Sequence, residues 1–84
     1  MSVKAYWDSF SGLIPCVALS YNEGIIGPVT IKLTANRGPY KRGEYIHATT
    51  LHVWPRDCVS RKRGTYGRKV IVAPHNWKEL LHGV

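Results

Sequence analysis

Nine basic side chains lie between Arg37 and Lys69, and two acids, Glu44 and Asp57, oppose them. The nine are Arg37, Lys41, Arg42, Arg56, Arg61, Lys62, Arg63, Arg68 and Lys69. Their excess of seven equals the net charge of the whole chain, +7 at pH 7, so the flanking segments are neutral overall. Cations gathered in one stretch neutralise phosphates and release counterions, which is the sequence-independent part of binding to a polyanion. Aromatic residues are interleaved with them: Tyr40, Tyr45, Trp54 and Tyr66. An exposed ring in such company can stack on an unpaired base for roughly 1–3 kcal/mol. The core competes for the same rings. Tyr45 and Trp54 read as core residues, whereas Tyr40 and Tyr66 stand beside turn glycines and are balanced between burial and exposure.

The densest stretch is Arg61-Lys62-Arg63-Gly64-Thr65-Tyr66-Gly67-Arg68-Lys69, with five positive charges in nine residues. Gly64 and Gly67 would let the backbone approach a phosphate closely. The stretch is not a Walker A loop, because the lysine and hydroxyl residues are not placed as GxxxxGK[ST] requires, and it is not GxGxxG. The rest of the sequence argues against enzymatic chemistry. Five acids, well scattered, argue against a two-carboxylate or Mg²⁺ site. His47 and His52 are five apart and would point to opposite faces of a continuous strand. Cys16 and Cys58 form no CxxC pair, and no His/Cys cluster has zinc-ligand spacing. No metal or other cofactor is expected, and both thiols read as reduced and buried, with a Cys16–Cys58 disulfide left open.

The elements that must position these groups follow from pattern. The chain has 84 residues, enough for one domain over residues 1–84, and 44% of them are hydrophobic, as in a globular protein. Leu13–Tyr21 is apolar and strand-prone, with Pro15 suited to its first residues or to an edge. Asn22-Glu23-Gly24 reads as a turn. Val29–Leu33 alternates apolar and polar residues, the period of a half-buried strand. Ala35–Pro39 is a loop, and Glu44–Val53 a strand with a break or bulge near Ala48–Thr50. Trp54-Pro55-Arg56-Asp57 reads as a turn or one turn of 3₁₀ helix. Cys58–Lys62 and Arg68–Ala73 form a hairpin with a basic tip. Asn76 caps a short terminal helix, Glu79 completes a capping box, and Trp77, Leu80 and Leu81 make its apolar stripe. The expected fold is mainly β: a small SH3-like or OB-like barrel of five to six short strands with a short C-terminal helix. The N-terminus lacks a signal-peptide run and no stretch approaches the length of a membrane span, so a cytoplasmic location away from membranes is expected.

One stretch resembles a known motif. Gly38-Pro39-Tyr40-Lys41-Arg42-Gly43-Glu44 resembles the Gly-Pro-Tyr/Phe-Lys-Gly turn of KOW motifs, which occur in SH3-like barrels of ribosomal proteins and transcription elongation factors. Many of those bind RNA. Arg42 here intervenes before Gly43, and the Gly-Asp pair that usually opens the preceding strand is absent. The short, basic, strand-rich chain is also similar in general look to uncharacterised accessory proteins of bacteriophages.

The leading expectation is a nucleic-acid-binding module that holds the backbone by charge and stacks bases on aromatics, with RNA or single-stranded DNA preferred over duplex. Its binding residues would be the nine cations together with Tyr40, Trp54 and Tyr66. The alternative is a phage-like regulatory or inhibitory protein that docks its basic face on an acidic host protein surface, with Trp54 and Arg56 as anchors.

Overall fold

The computed structural model describes residues 2–24, 26–64 and 67–81, with the backbone alone for 61–64 and 67–71. Among the described residues there are seven strands: β1 (Val3–Ser9), β2 (Gly12–Tyr21), β3 (Val29–Leu33), β4 (Tyr45–Ala48), β5 (Val53–Pro55), β6 (Val59–Gly64) and β7 (Gly67–Val72). One short helix, α1 (Trp77–Leu80), follows them. Five strands form one antiparallel sheet in the order β4-β3-β2-β1-β5, and β6 pairs with β7 in a separate two-stranded ribbon. The chain is thus mainly β, as expected, with one or two more strands than the sequence suggests.

Alternation decides which face of each strand is buried. Ala5 on β1, Ile14, Cys16 and Ala18 on β2, Val29, Ile31 and Leu33 on β3, and Val53 on β5 are almost completely buried in a single cluster. A flat five-stranded sheet could not bring these side chains into one core under so short a helix, so the sheet curls around them into a barrel-like fold. Each of the buried Ile and Leu side chains contributes about 1.5–3 kcal/mol. The inner face is otherwise small, with Ala5, Cys16, Ala18 and Ala48, and α1 fills the open end with Trp77. The Trp77 Nε1–H donates to the Val53 carbonyl at 2.8 Å, so the indole is satisfied where it is buried.

Several expectations are corrected. Residues 3–9 carry no clear strand pattern, yet β1 lies inside the sheet, paired with β2 along its whole length and with β5 through Ala5–Trp7. Pro15 sits well inside β2, an interior strand. It is tolerated because its carbonyl accepts from Thr34 N–H on the β3 side, where the ladder has ended at the Cys16–Leu33 pair. The N and O of one residue point the same way in an antiparallel strand, so the missing N–H breaks no ladder bond. A register shift between Ala18 and Ser20 marks a bulge, and after it the inward parity changes so that Tyr21 packs on the core. The strand that begins at Tyr45 breaks at Ala48, as its mixed faces suggest, and the Thr49 carbonyl accepts from His52 N–H at 3.1 Å in the turn that follows. Trp54 and Pro55 belong to β5 rather than to a turn, and the 3₁₀ turn comes one step later, over Arg56–Cys58. Asn76 caps α1 by accepting from Lys78 N–H, but among the described residues no return bond from Glu79 completes the capping box. Leu80 is 37% exposed, so the buried stripe is Trp77 and Leu81. Both cysteines are free thiols, Cys16 buried and Cys58 half-buried.

Candidate nucleic-acid interface

The segment that resembles a KOW turn is built from two tight turns in series. Arg37 and Tyr40 exchange both backbone hydrogen bonds at 2.9 Å, with Gly38 at φ +55 between them. A positive φ at the first central residue alone is the type II′ hairpin turn, which glycine adopts without penalty. Glu44 N–H then donates to the Lys41 carbonyl at 3.1 Å around Gly43, whose φ of +90 suits the second central position of a type II turn. The Asn36 carboxamide oxygen accepts from Arg42 N–H at 2.6 Å and fastens the two turns together. Lys41 and Arg42 are thereby displayed on a fixed backbone, and both are exposed.

This double turn rests against the β1–β2 turn. A Cβ on Gly38 would collide with the Ser11 hydroxyl, and the Arg37 guanidinium lies over Gly12, where a Cβ would come within 3.1 Å of Nη1. Tyr40 is half-buried and meets Trp7 edge to face, with centroids 4.8 Å apart. Between the two turns opens a cleft of about 300 Å³ lined by Trp7, Asp8, Ser9, Phe10, Tyr40 and His52. The Asp8 backbone N–H donates to the His52 carbonyl at 2.7 Å, which holds the floor of the cleft together. Phe10, at the tip of the β1–β2 turn, is completely exposed at 106%. Three aromatic side chains, a carboxylate, a hydroxyl and an imidazole around one opening suit a flat, polar-edged π system, with Arg37 beside it for a negative charge.

The predicted site residues that are described fall into four places: the double turn, β5, the 3₁₀ turn and the β6–β7 ribbon. Arg37, Tyr40, Lys41 and Arg42 share the double turn. Trp54 faces outward from β5, opposite Tyr6, and its Nε1–H donates to the Leu51 carbonyl at 3.3 Å. It is half-buried, between the core reading and an exposed platform. Arg56 is occupied internally. Its Nε donates to the Ala5 carbonyl at 3.1 Å and its Nη2 to the Cys16 carbonyl at 3.4 Å, and the guanidinium lies 5.3 Å from the Tyr6 ring centre. The sequence reading placed Arg56 among the binding cations; the structure commits it to joining β1, β2 and the 3₁₀ turn. Arg61, Lys62 and Arg63 lie on β6, and Arg68 and Lys69 on β7. Tyr66 lies outside the described residues.

Tyr45, read as core, is 62% exposed, with Lys32 Nζ 5.5 Å from its ring centre. The basic turn and the ribbon do not start from the same end of the sheet. The turn abuts residues 7–12, whereas the ribbon follows the 3₁₀ turn beside Val3 and Ala5. Among the described residues one ion pair forms, Lys78–Glu23 at 2.8 Å, which raises the Lys78 pKa through its hydrogen bond and then its charge. It involves none of Arg37, Lys41, Arg42 and Arg56, the cations of the nine whose side chains are described. The sequence reading missed Trp7, Asp8, Phe10 and His52. The signal available was an aromatic in the turn-like run Asp8-Ser9-Phe10-Ser11-Gly12, where alternation gives it no core to face. Comparison with known proteins finds no matching family model, no matching curated protein and no matching solved structure.

Proposed function

We propose that this protein binds nucleic acid, with the basic turn and ribbon holding the sugar–phosphate backbone and the Trp7–Tyr40–Phe10 cleft taking an unpaired base. The observation that carries the reading is the exposed Phe10 beside a preformed aromatic cleft and the Arg37–Arg42 turn. Leaving a phenylalanine in water forgoes about 1.5–3 kcal/mol of burial, and stacking on a base recovers an amount of the same order. Charge supplies the remainder, through counterions released as Arg37, Lys41, Arg42 and the ribbon cations meet phosphates.

The test is fluorescence anisotropy with labelled single-stranded RNA and DNA across a range of salt. The logarithm of the affinity should fall linearly with the logarithm of salt concentration, with a slope of several phosphates. Phe10→Ala should weaken binding with no change in that slope. Absence of binding at low salt would overturn the reading.

A further inference from the structure

Among the described residues the β6–β7 ribbon pairs with itself alone in the sheet ladders, and its register is unusual in one respect. Lys62 stands opposite Lys69, and Arg63 opposite Arg68. Directly opposed like charges destabilise an antiparallel pair, and an isolated two-stranded ribbon is marginal in water to begin with. No acid lies between Asp57 and Glu79 to offset them. A ribbon patterned in this way is complementary to something that brings negative charge to both of its strands at once.

We propose that the β6–β7 ribbon is an arm that enters the major groove of a DNA duplex. A single strand carries one row of phosphates, which can answer the cations of one ribbon strand. A duplex groove has a phosphate row on each wall, one for each ribbon strand, and each facing pair, Lys62 with Lys69 on one face of the ribbon and Arg63 with Arg68 on the other, supplies one cation per row. The dimensions agree: six residues per strand extend about 20 Å, and the major groove of B-DNA, roughly 12 Å wide, admits a two-stranded ribbon. This inference rests on the nucleic-acid reading above and sharpens it. Since the ribbon leaves the sheet at the end of β1 away from the cleft, the preferred ligand is a duplex that runs into a single-stranded overhang, the overhang supplying the base for the cleft.

The experiment compares the full chain with a labelled strand, a blunt DNA duplex and the same duplex with an overhang. It uses the wild type and the double variant Lys62→Glu/Arg68→Glu, which turns both facing pairs into opposite-charge pairs. The wild type should bind the overhang duplex tighter than either simpler ligand. In the variant the ribbon amides should exchange with solvent more slowly, because repulsion has become attraction. Its duplex affinity should fall by about tenfold or more, with a shallower salt dependence and a smaller loss for the strand. The neutral variant Lys62→Gln/Arg68→Gln should lie between the two in both measurements. Equal losses for duplex and strand, or ribbon exchange that is not slowed, would overturn the proposal. Binding to the strand but not to the duplex refutes the groove arm and leaves the cleft standing; binding to none of the ligands refutes both.

Discussion

The rings of Trp7 and Tyr40 meet edge to face, their planes inclined at 76°. Through this contact β1 fixes the basic turn, and the wall of the cleft is also part of the core boundary. Tyr40 and Phe10 should therefore respond differently to truncation. Tyr40→Ala removes an aromatic pair worth roughly 0.5–1.5 kcal/mol together with half-buried area, and should cost about 1–3 kcal/mol in urea unfolding. Phe10→Ala should alter stability by less than about 0.5 kcal/mol while weakening nucleic-acid binding by roughly 1–3 kcal/mol. Equal destabilisation by the two variants would show that Phe10 is structural.

Arg56 should behave as a fastener. Its side chain donates to the carbonyls of Ala5 and Cys16 and covers Tyr6. Arg56→Ala should lower stability by about 2–4 kcal/mol, since charge-assisted hydrogen bonds and a cation–π contact are lost together. Arg56→Lys should recover little, because a compact ammonium does not reproduce the fork of a guanidinium. Denaturant midpoints measure both, and a wild-type midpoint for Arg56→Ala would refute the role.

Two glycines with similar positive φ separate crowding from conformation. Gly24 has φ +80 and open space around it; Gly27 has φ +73, and a Cβ there would lie 2.7 Å from the His47 carbonyl oxygen. Alanine at either position carries the left-handed penalty of about 1–2 kcal/mol. At Gly27 the backbone of β4 must also move, so Gly27→Ala should be the more damaging by at least about 1 kcal/mol. Equal midpoints for the two variants would mean that β4 yields freely.

Burial pushes the Cys16 thiol up to about 12 from its ordinary value of 9.0, against the opposing pull of the Arg56 charge. The unfolded chain ionises this thiol above pH 9 while the folded one keeps its proton. The contribution is therefore complete below pH 9 and is lost as pH rises from 9 towards 12, by up to about 1.4 kcal/mol per pH unit. Unfolding free energies of wild type and Cys16→Ala, compared from pH 8 to pH 11, should converge as pH rises. A constant difference would contradict the assignment. In the folded protein, alkylating reagents should reach Cys58 before Cys16.

Local patterns were legible where a residue's role depends on its neighbours in sequence. Val29, Ile31 and Leu33 alternate with Thr30 and Lys32, and β3 buries the first set. Asn76 caps α1 because its short side chain can reach the Lys78 N–H two residues on. The pairing of β6 with β7 was legible as a hairpin, but the ladder reaches Gly64 and Gly67, past the strand ends that composition alone suggests. β1 and β5 were not legible, because partners distant in sequence define them: β5 is three residues long and exists by pairing with Ala5–Trp7. The site divided along the same line. The cations of the double turn could be read directly, but Arg56 could not be separated from them until its acceptor, 51 residues away, was in place. Phe10 looked like an ordinary turn residue until Tyr40 was set beside Trp7.

The return of β5 to β1, past three intervening strands, gives the molecule a seam. Strands β1 to β4 form by zipping neighbour to neighbour, at small entropic cost, whereas the seam must close most of the chain into a loop before it gains a single bond. It is the natural last step of assembly and the natural first point of opening. Residues that stitch it should govern how long the native state survives more than how quickly it is reached.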